Sequence, residues 1–256
     1  MRHLTFDNEE VIMEFFRDPT NKVLAFPQGD ELLKTFNSIN NEDEWSSWVN
    51  ASKTNTPPDF YNEELKLMMD VMRFDDQQTV DGKKHATKSK ETELLKELKE
   101  SGILDIAPNA TNVFINAVTD LPQNEDHNFK RYRGNFKRVI EKHAKRVQAY
   151  RENHPRFKLI FFVFDESRSM YAEKVNYPVN SPLIQGMPYW FFIDEYMVDI
   201  IKKCGADFLV WFKPYYDPSV LLGLEQPLPT VIMYDLNNLM IDTKKYNENN
   251  IISLEE

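Results

Sequence analysis

LIFFVF (Leu159–Phe164) is the longest uninterrupted apolar run in the chain. Six apolar residues without polar alternation read as a strand buried on both faces, the kind found at the centre of a parallel sheet. Downstream, a helix is signalled over Pro188–Cys204: proline near its start, Asp194 and Glu195 early, Lys202 and Lys203 late, and Gly205 after it. Two further strands follow, FLVWF (Phe208–Phe212) and VIMY (Val231–Tyr234). Upstream lie a long helix over Phe129–Arg151 and a strand over Val113–Thr119. Strand and helix thus alternate, which predicts an α/β fold: a mostly parallel or mixed central sheet flanked by helices.

The chain before this region reads differently. Residues 1–102 are expected to form a mainly helical N-terminal portion, residues 103–242 the sheet domain and residues 243–256 a polar, frayed tail. Leu32, Leu33 and Phe36 have helical spacing, and Trp45 and Trp48 form an i,i+3 pair. Ala51–Pro58 has linker composition. Leu65, Met68, Met69 and Met72 again recur at helical spacing, predicting a helix over about 61–73. Residues 75–90 hold only Val80 and Ala86 as apolar residues and are expected to form a mobile loop. Thr92 caps a short helix carrying Leu94, Leu95 and Leu98, ended by Gly102.

Composition excludes several chemistries. The seven glycines are never closer than 18 residues, so dinucleotide, P-loop, nucleophile-elbow and kinase glycine motifs are all absent. The single cysteine, Cys204, excludes an intrachain disulfide, a cysteine-based zinc site and a C-x-x-C redox pair. The five histidines include no H-x-x-x-H pair. No run approaches the roughly 20 apolar residues of a membrane span, and the N-terminus has no signal-peptide core. A soluble, cytoplasmic protein without a membrane partner is expected.

Charge is unevenly placed. The chain carries −10 overall, yet Lys130–Glu152 holds nine Lys/Arg and two acids. That segment is +7, leaving −17 on the rest. Phe129, Tyr132, Phe136, Val139, His143, Val147 and Tyr150 form one apolar stripe along the same helix, so it packs one face on the sheet. Its basic positions, Arg131, Arg138, Lys142 and Lys145 among them, then face outward as a track for nucleic acid or another polyanion. Charge runs also serve simply as solvated faces. On the stripe, His143 reads as a satisfied core histidine rather than a ligand.

Open parallel sheets bind ligands outside the carboxyl ends of their strands. Here the proposed strands run into Asp120, into Asp165 and Glu166, into Lys213, and into Asp235. If they converge, Asp120, Asp165, Glu166 and Asp235 offer the oxygen ligands that Mg²⁺ or Mn²⁺ prefers. Asp165 and Lys213 would then do the chemistry, the lysine stabilising developing negative charge. Asp and Asn also follow strands because they make turns. The sequence therefore points to a metal-dependent phosphodiesterase, most plausibly a nuclease. The alternative is a non-catalytic adaptor or regulator docking an acidic partner on its basic helix.

A second carboxylate pattern lies upstream. Pro58–Asp59 followed by Glu64-x-Lys66 resembles the PD…ExK signature of restriction-endonuclease-like nucleases. The resemblance implies two acids holding a metal while a lysine assists water, with Glu and Lys on one face of a strand. The helical spacing of Leu65–Met72 instead puts Glu64 and Lys66 about 200° apart. It favours pairing of Lys66 with Glu63 and Asp70. A strand over KLMMDVMRF (Lys66–Phe74) would restore the motif, and a basic helix followed by LIFFVF also suits that fold.

Overall fold

The computed structural model describes residues 8–17, 21–51, 57–76, 79–80, 83–84, 97, 100, 128–167, 170–174, 187–215 and 229–253. Asp120 and the strand expected over Val113–Thr119 lie outside them. So do most of the 75–90 loop, of the Thr92 helix and of the connection between Ser167 and Met187.

In chain order the elements are α1 (Glu9–Phe16), β1 (Val23–Phe26), α2 (Asp30–Asn40), α3 (Glu42–Trp45), β2 (Val49–Asn50) and β3 (Phe60–Asn62). Next come β4 (Leu67–Phe74), the β5–β6 hairpin (Thr79–Val80 and Lys83–Lys84), α4 (Phe129–Ala144), α5 (Val147–Asn153) and β7 (Lys158–Asp165). The remainder is β8 (Tyr171–Glu173), β9 (Met187–Pro188), α6 (Glu195–Ile201), β10 (Phe208–Phe212), β11 (Val231–Asp235) and β12 (Ile251–Ser253). A seven-stranded mixed sheet runs β1-β11-β10-β7-β4-β3-β2. At its centre β4, β7 and β10 are parallel, and β2, β3 and β4 form an antiparallel meander on one side. The α/β expectation holds, and the sheet also draws β1 to β4 from residues before 103.

LIFFVF is the middle of β7, with Leu159–Phe164 all fully buried. Leu159, Phe161 and Val163 face α4 and α6, whereas Ile160, Phe162 and Phe164 face α1 and α2. Two separate cores result, one on each side of the sheet. Each large side chain buried there contributes about 1.5–3 kcal/mol relative to exposure.

The helix expected over 61–73 is a strand. In β4, Leu67, Met69 and Val71 pack towards α1 and α2, while Met68, Met72 and Phe74 pack towards α4. A strand buried on both faces shows no alternation, and part of its apolar run coincides with helical spacing. Packing between two helical layers decided its state. Glu63 and Lys66 do pair, at 2.9 Å, but in the turn that precedes β4, where Lys66 takes φ +53°.

Three other expectations are corrected. The long basic helix breaks at Lys145–Arg146, giving α4 and α5. The helix expected over 188–204 is shorter. Asp194 caps α6 by accepting from the Tyr196 amide at 3.1 Å, and the aromatic residues before it form a 3-10 turn instead. The expected frayed tail is tied down: β12 pairs with β8, and Tyr246 is buried. Gly205 follows α6 with φ +82° and Val147 3.5 Å from where a Cβ would lie. The space tolerates a methyl but the backbone does not. Gly205→Ala is expected to lower stability by about 1–2 kcal/mol, read as a shifted urea midpoint with unchanged slope.

Candidate functional site

Parallel pairing brings the ends of β7 and β10 together, since Phe164 lies opposite Phe212. Asp165 and Lys213 therefore meet: Lys213 Nζ is 3.1 Å from Asp165 Oδ2, and both are buried. The same Oδ2 accepts from Tyr132 at 2.7 Å and from Trp211 Nε1 at 3.2 Å. Oδ1 accepts from the Ser167 hydroxyl at 2.5 Å and from its amide at 3.0 Å. Lys213 also contacts the Ser167 hydroxyl and lies 4.9 Å from the Tyr132 ring centroid. A carboxylate has about four acceptor positions, so Asp165 is committed to the protein's own donors. This pair holds the core together at the strand ends.

The other strand-end acids do not join it. Glu166 forms an ion pair with Arg73 at 2.5 Å. Because β11 runs antiparallel to β10, Asp235 lies opposite Phe208, at the other end of the sheet. There Asp235 accepts from the Asn237 and Asn238 amides at 3.1 and 3.3 Å, the turn-making role open to any Asp after a strand. Convergence of Asp165 with Asp235 is thereby corrected, and Asp120 lies outside the described residues. Among the described residues, no group of three or more His, Cys, Asp or Glu is arranged to hold a metal ion. No described helix is long and apolar enough to cross a membrane.

The basic helix divides as its spacing predicts. Phe129, Tyr132, Phe136, Val139 and Ile140 are buried, while Arg138, Lys142 and Lys145 are exposed. Those three line a shallow depression with Gly134, Lys137 and Glu141. Arg131 is half-buried at the first turn. Arg133 leaves the cationic face altogether, forking onto Asp194 at 2.8 and 2.9 Å in the core.

A different acid pair lies beneath that helix. Asp59 lies in the bend just before β3 and turns its carboxylate onto β4 beside Asp70. Asp70 is buried and Asp59 half-buried. Asp59 Oδ2 accepts from the Val71 amide at 2.7 Å. Burial first, and then the neighbouring Asp70 charge, raise the Asp59 carboxyl from 3.8 to about 7. From α4, His143 Nδ1 contacts Asp70 Oδ2, so His143 is the satisfied core histidine expected from its place on the stripe. Tyr150 of α5 completes the cluster. Its side chain is buried, and its hydroxyl lies near Asp70 and Arg146 without a full-length hydrogen bond to either. Burial and the Asp70 charge push that phenol up, while Arg146 opposes them.

Each member left a trace in the sequence. Asp59 belongs to the Pro58–Asp59 motif, Asp70 is the one charge inside LMMDVM, and His143 interrupts an apolar stripe. Reading Leu65–Met72 as a helix kept them apart. Glu64 and Lys66 of the motif stay in the turn, and the positions on one face of the strand are Asp70 and Met72. Comparison with described protein families, curated proteins and solved structures finds no match to this chain.

Proposed function

We propose that this chain is a divalent-metal-dependent phosphodiesterase, a nuclease, whose centre is Asp59 and Asp70 rather than the strand-end acids. The observation that carries the reading is that the Asp59 carboxylate, held on the β4 backbone, neighbours the buried Asp70, which is in turn contacted by His143 of the basic helix. The order of elements supports it: a strand over 67–74, then a basic helix, then the apolar strand LIFFVF suit the PD…ExK resemblance. Mg²⁺ keeps several waters and takes one or two protein carboxylates, with substrate phosphates completing its shell, so a two-acid site fits its chemistry. When bound, such an ion neutralises phosphate charge and makes bound water more acidic. Asp59 and Asp70 would hold it, and Arg138, Lys142 and Lys145 would bind the phosphate backbone.

Asp70→Ala is expected to reduce Mn²⁺-dependent cleavage of DNA or RNA by about a hundredfold or more, the usual loss when one preorganised electrostatic group is removed. Joint reversal of Arg138 and Lys142 to glutamate should weaken nucleic-acid binding and flatten its salt dependence. Full cleavage by the Asp70→Ala protein would overturn the assignment.

One observation favours the reading without cleavage. Met72 stands on β4 where the resemblance expects a lysine, so an adaptor that binds polyanions but does not cut them is the second reading. It predicts binding lost on charge reversal, no Mn²⁺-dependent cleavage by the unaltered protein, and no effect of Asp70→Ala on binding.

A further inference from the structure

We propose that His143 is a positioning residue for the Asp59–Asp70 centre: through its contact with Asp70 it fixes the orientation in which that carboxylate meets a divalent cation. The inference rests on the function proposed above and adds a residue that neither the strand-end acids nor the PD…ExK resemblance supplies. Asp70 is 3% exposed and projects from the middle of an apolar strand, flanked on its own face by Met68 and Met72. Such a carboxylate has few polar neighbours to set its rotamer. His143 is one, reaching across from α4 so that Nδ1 contacts Oδ2. Groups standing behind a ligating carboxylate orient it, and losing one typically costs about 10- to 100-fold in metal affinity.

Geometry around the pair supports a binding role over packing alone. The contact with Asp70 satisfies His143, and it also fixes an acid that has a second carboxylate, Asp59, as its charged neighbour. The Tyr150 hydroxyl is fully buried beside Asp70 and Arg146, yet neither lies at full hydrogen-bonding distance. A buried polar atom so weakly satisfied calls for an explanation such as an ion or ordered water. Two acids, a histidine and a weakly satisfied hydroxyl thus gather where β4, α4 and α5 meet.

The test is a Mn²⁺ titration of the full chain, read as the rise in thermal midpoint without any substrate, for wild type, Asp70→Asn, His143→Leu and His143→Asn. Wild type should be stabilised by Mn²⁺ and Asp70→Asn should not. His143→Leu should need about 10- to 100-fold more Mn²⁺ for half its effect. His143→Asn, whose amide nitrogen can take the place of Nδ1, should titrate like wild type. If His143→Leu does not fold, His143→Gln replaces it, because its longer side chain moves the donor; Gln and Asn titrating alike would then overturn the proposal. A Mn²⁺ response abolished in Asp70→Asn but unchanged in a folded His143→Leu protein overturns the role of His143 alone. Absence of any response in wild type overturns the metal centre, and His143's role with it.

Discussion

Lys213→Met is expected to lower the unfolding free energy by about 3–5 kcal/mol, the largest loss of any single substitution considered. Lys213 is 2% exposed and its partner Asp165 is 0% exposed, so removing the ammonium leaves an uncompensated carboxylate in the core. The reverse change, Asp165→Leu, should cost a comparable amount for a different reason. It leaves a buried cation without its counter-charge and also takes an acceptor from Tyr132, Trp211 and Ser167. The double substitution separates these effects. For an isolated ion pair, replacing both charges with apolar groups is often neutral. Here the double variant should recover only part of the loss, because Tyr132, Trp211 and Ser167 all lose this acceptor. Urea unfolding followed by circular dichroism reads all three values. A loss below about 1 kcal/mol for Lys213→Met would mean that water reaches the pair, since only exposed pairs are worth so little.

Stability should also fall as pH rises through the neutral range, and Asp59 supplies the reason. Its carboxyl titrates near 7 in the folded chain against 3.8 ordinarily. The folded state therefore holds the proton more tightly than the unfolded state does. The resulting stabilisation is complete below about pH 4 and is lost progressively up to about pH 7, above which the curve is flat. A difference of this size corresponds to at most about 4 kcal/mol. Asp59→Asn removes the titration, so the variant should be more stable than wild type at pH 8 and show a flatter profile between pH 4 and 7. Chemical denaturation across that range checks the sign. A wild-type protein that gains stability over the same interval, with Asp59→Asn unchanged, would place the proton elsewhere. The direction has a functional meaning. Ionised Asp59 opposes folding at neutral pH, a cost that a bound divalent cation would offset.

Much of the architecture was legible because its strands announce themselves. FLVWF is β10 residue for residue, and LIFFVF lies within β7. The heptad-like spacing of Phe129, Tyr132, Phe136 and Val139 correctly named the buried face of α4. β4 was hidden because a strand packed on both sides loses the alternation that identifies strands, leaving spacings shared with a helix. β1 was hidden for a simpler reason: four residues, VLAF, carry too little pattern to register. At the level of the site, Asp165 and Lys213 were correctly brought together, since each follows a parallel strand. Asp235 was not, because nothing local in VIMY says that β11 runs the other way. The closeness of Asp59 to Asp70 depends on how the bend before β3 packs on β4, and it is invisible until β4 is seen as a strand.

The placement of β1 has a consequence for how the chain reaches this state. Its sheet partner is β11, and the contacts that join them, such as the Lys22 amide to Thr230, close a loop of 208 residues. During synthesis the segment around Val23 leaves the ribosome long before its partner exists. Until then an apolar ribbon of backbone donors and acceptors stays uncovered, together with the α1 face that packs beside it. Final docking of this strand should thus be the late, slow step of folding, and a nascent chain stalled before Val231 should be the species that chaperones hold and proteases find.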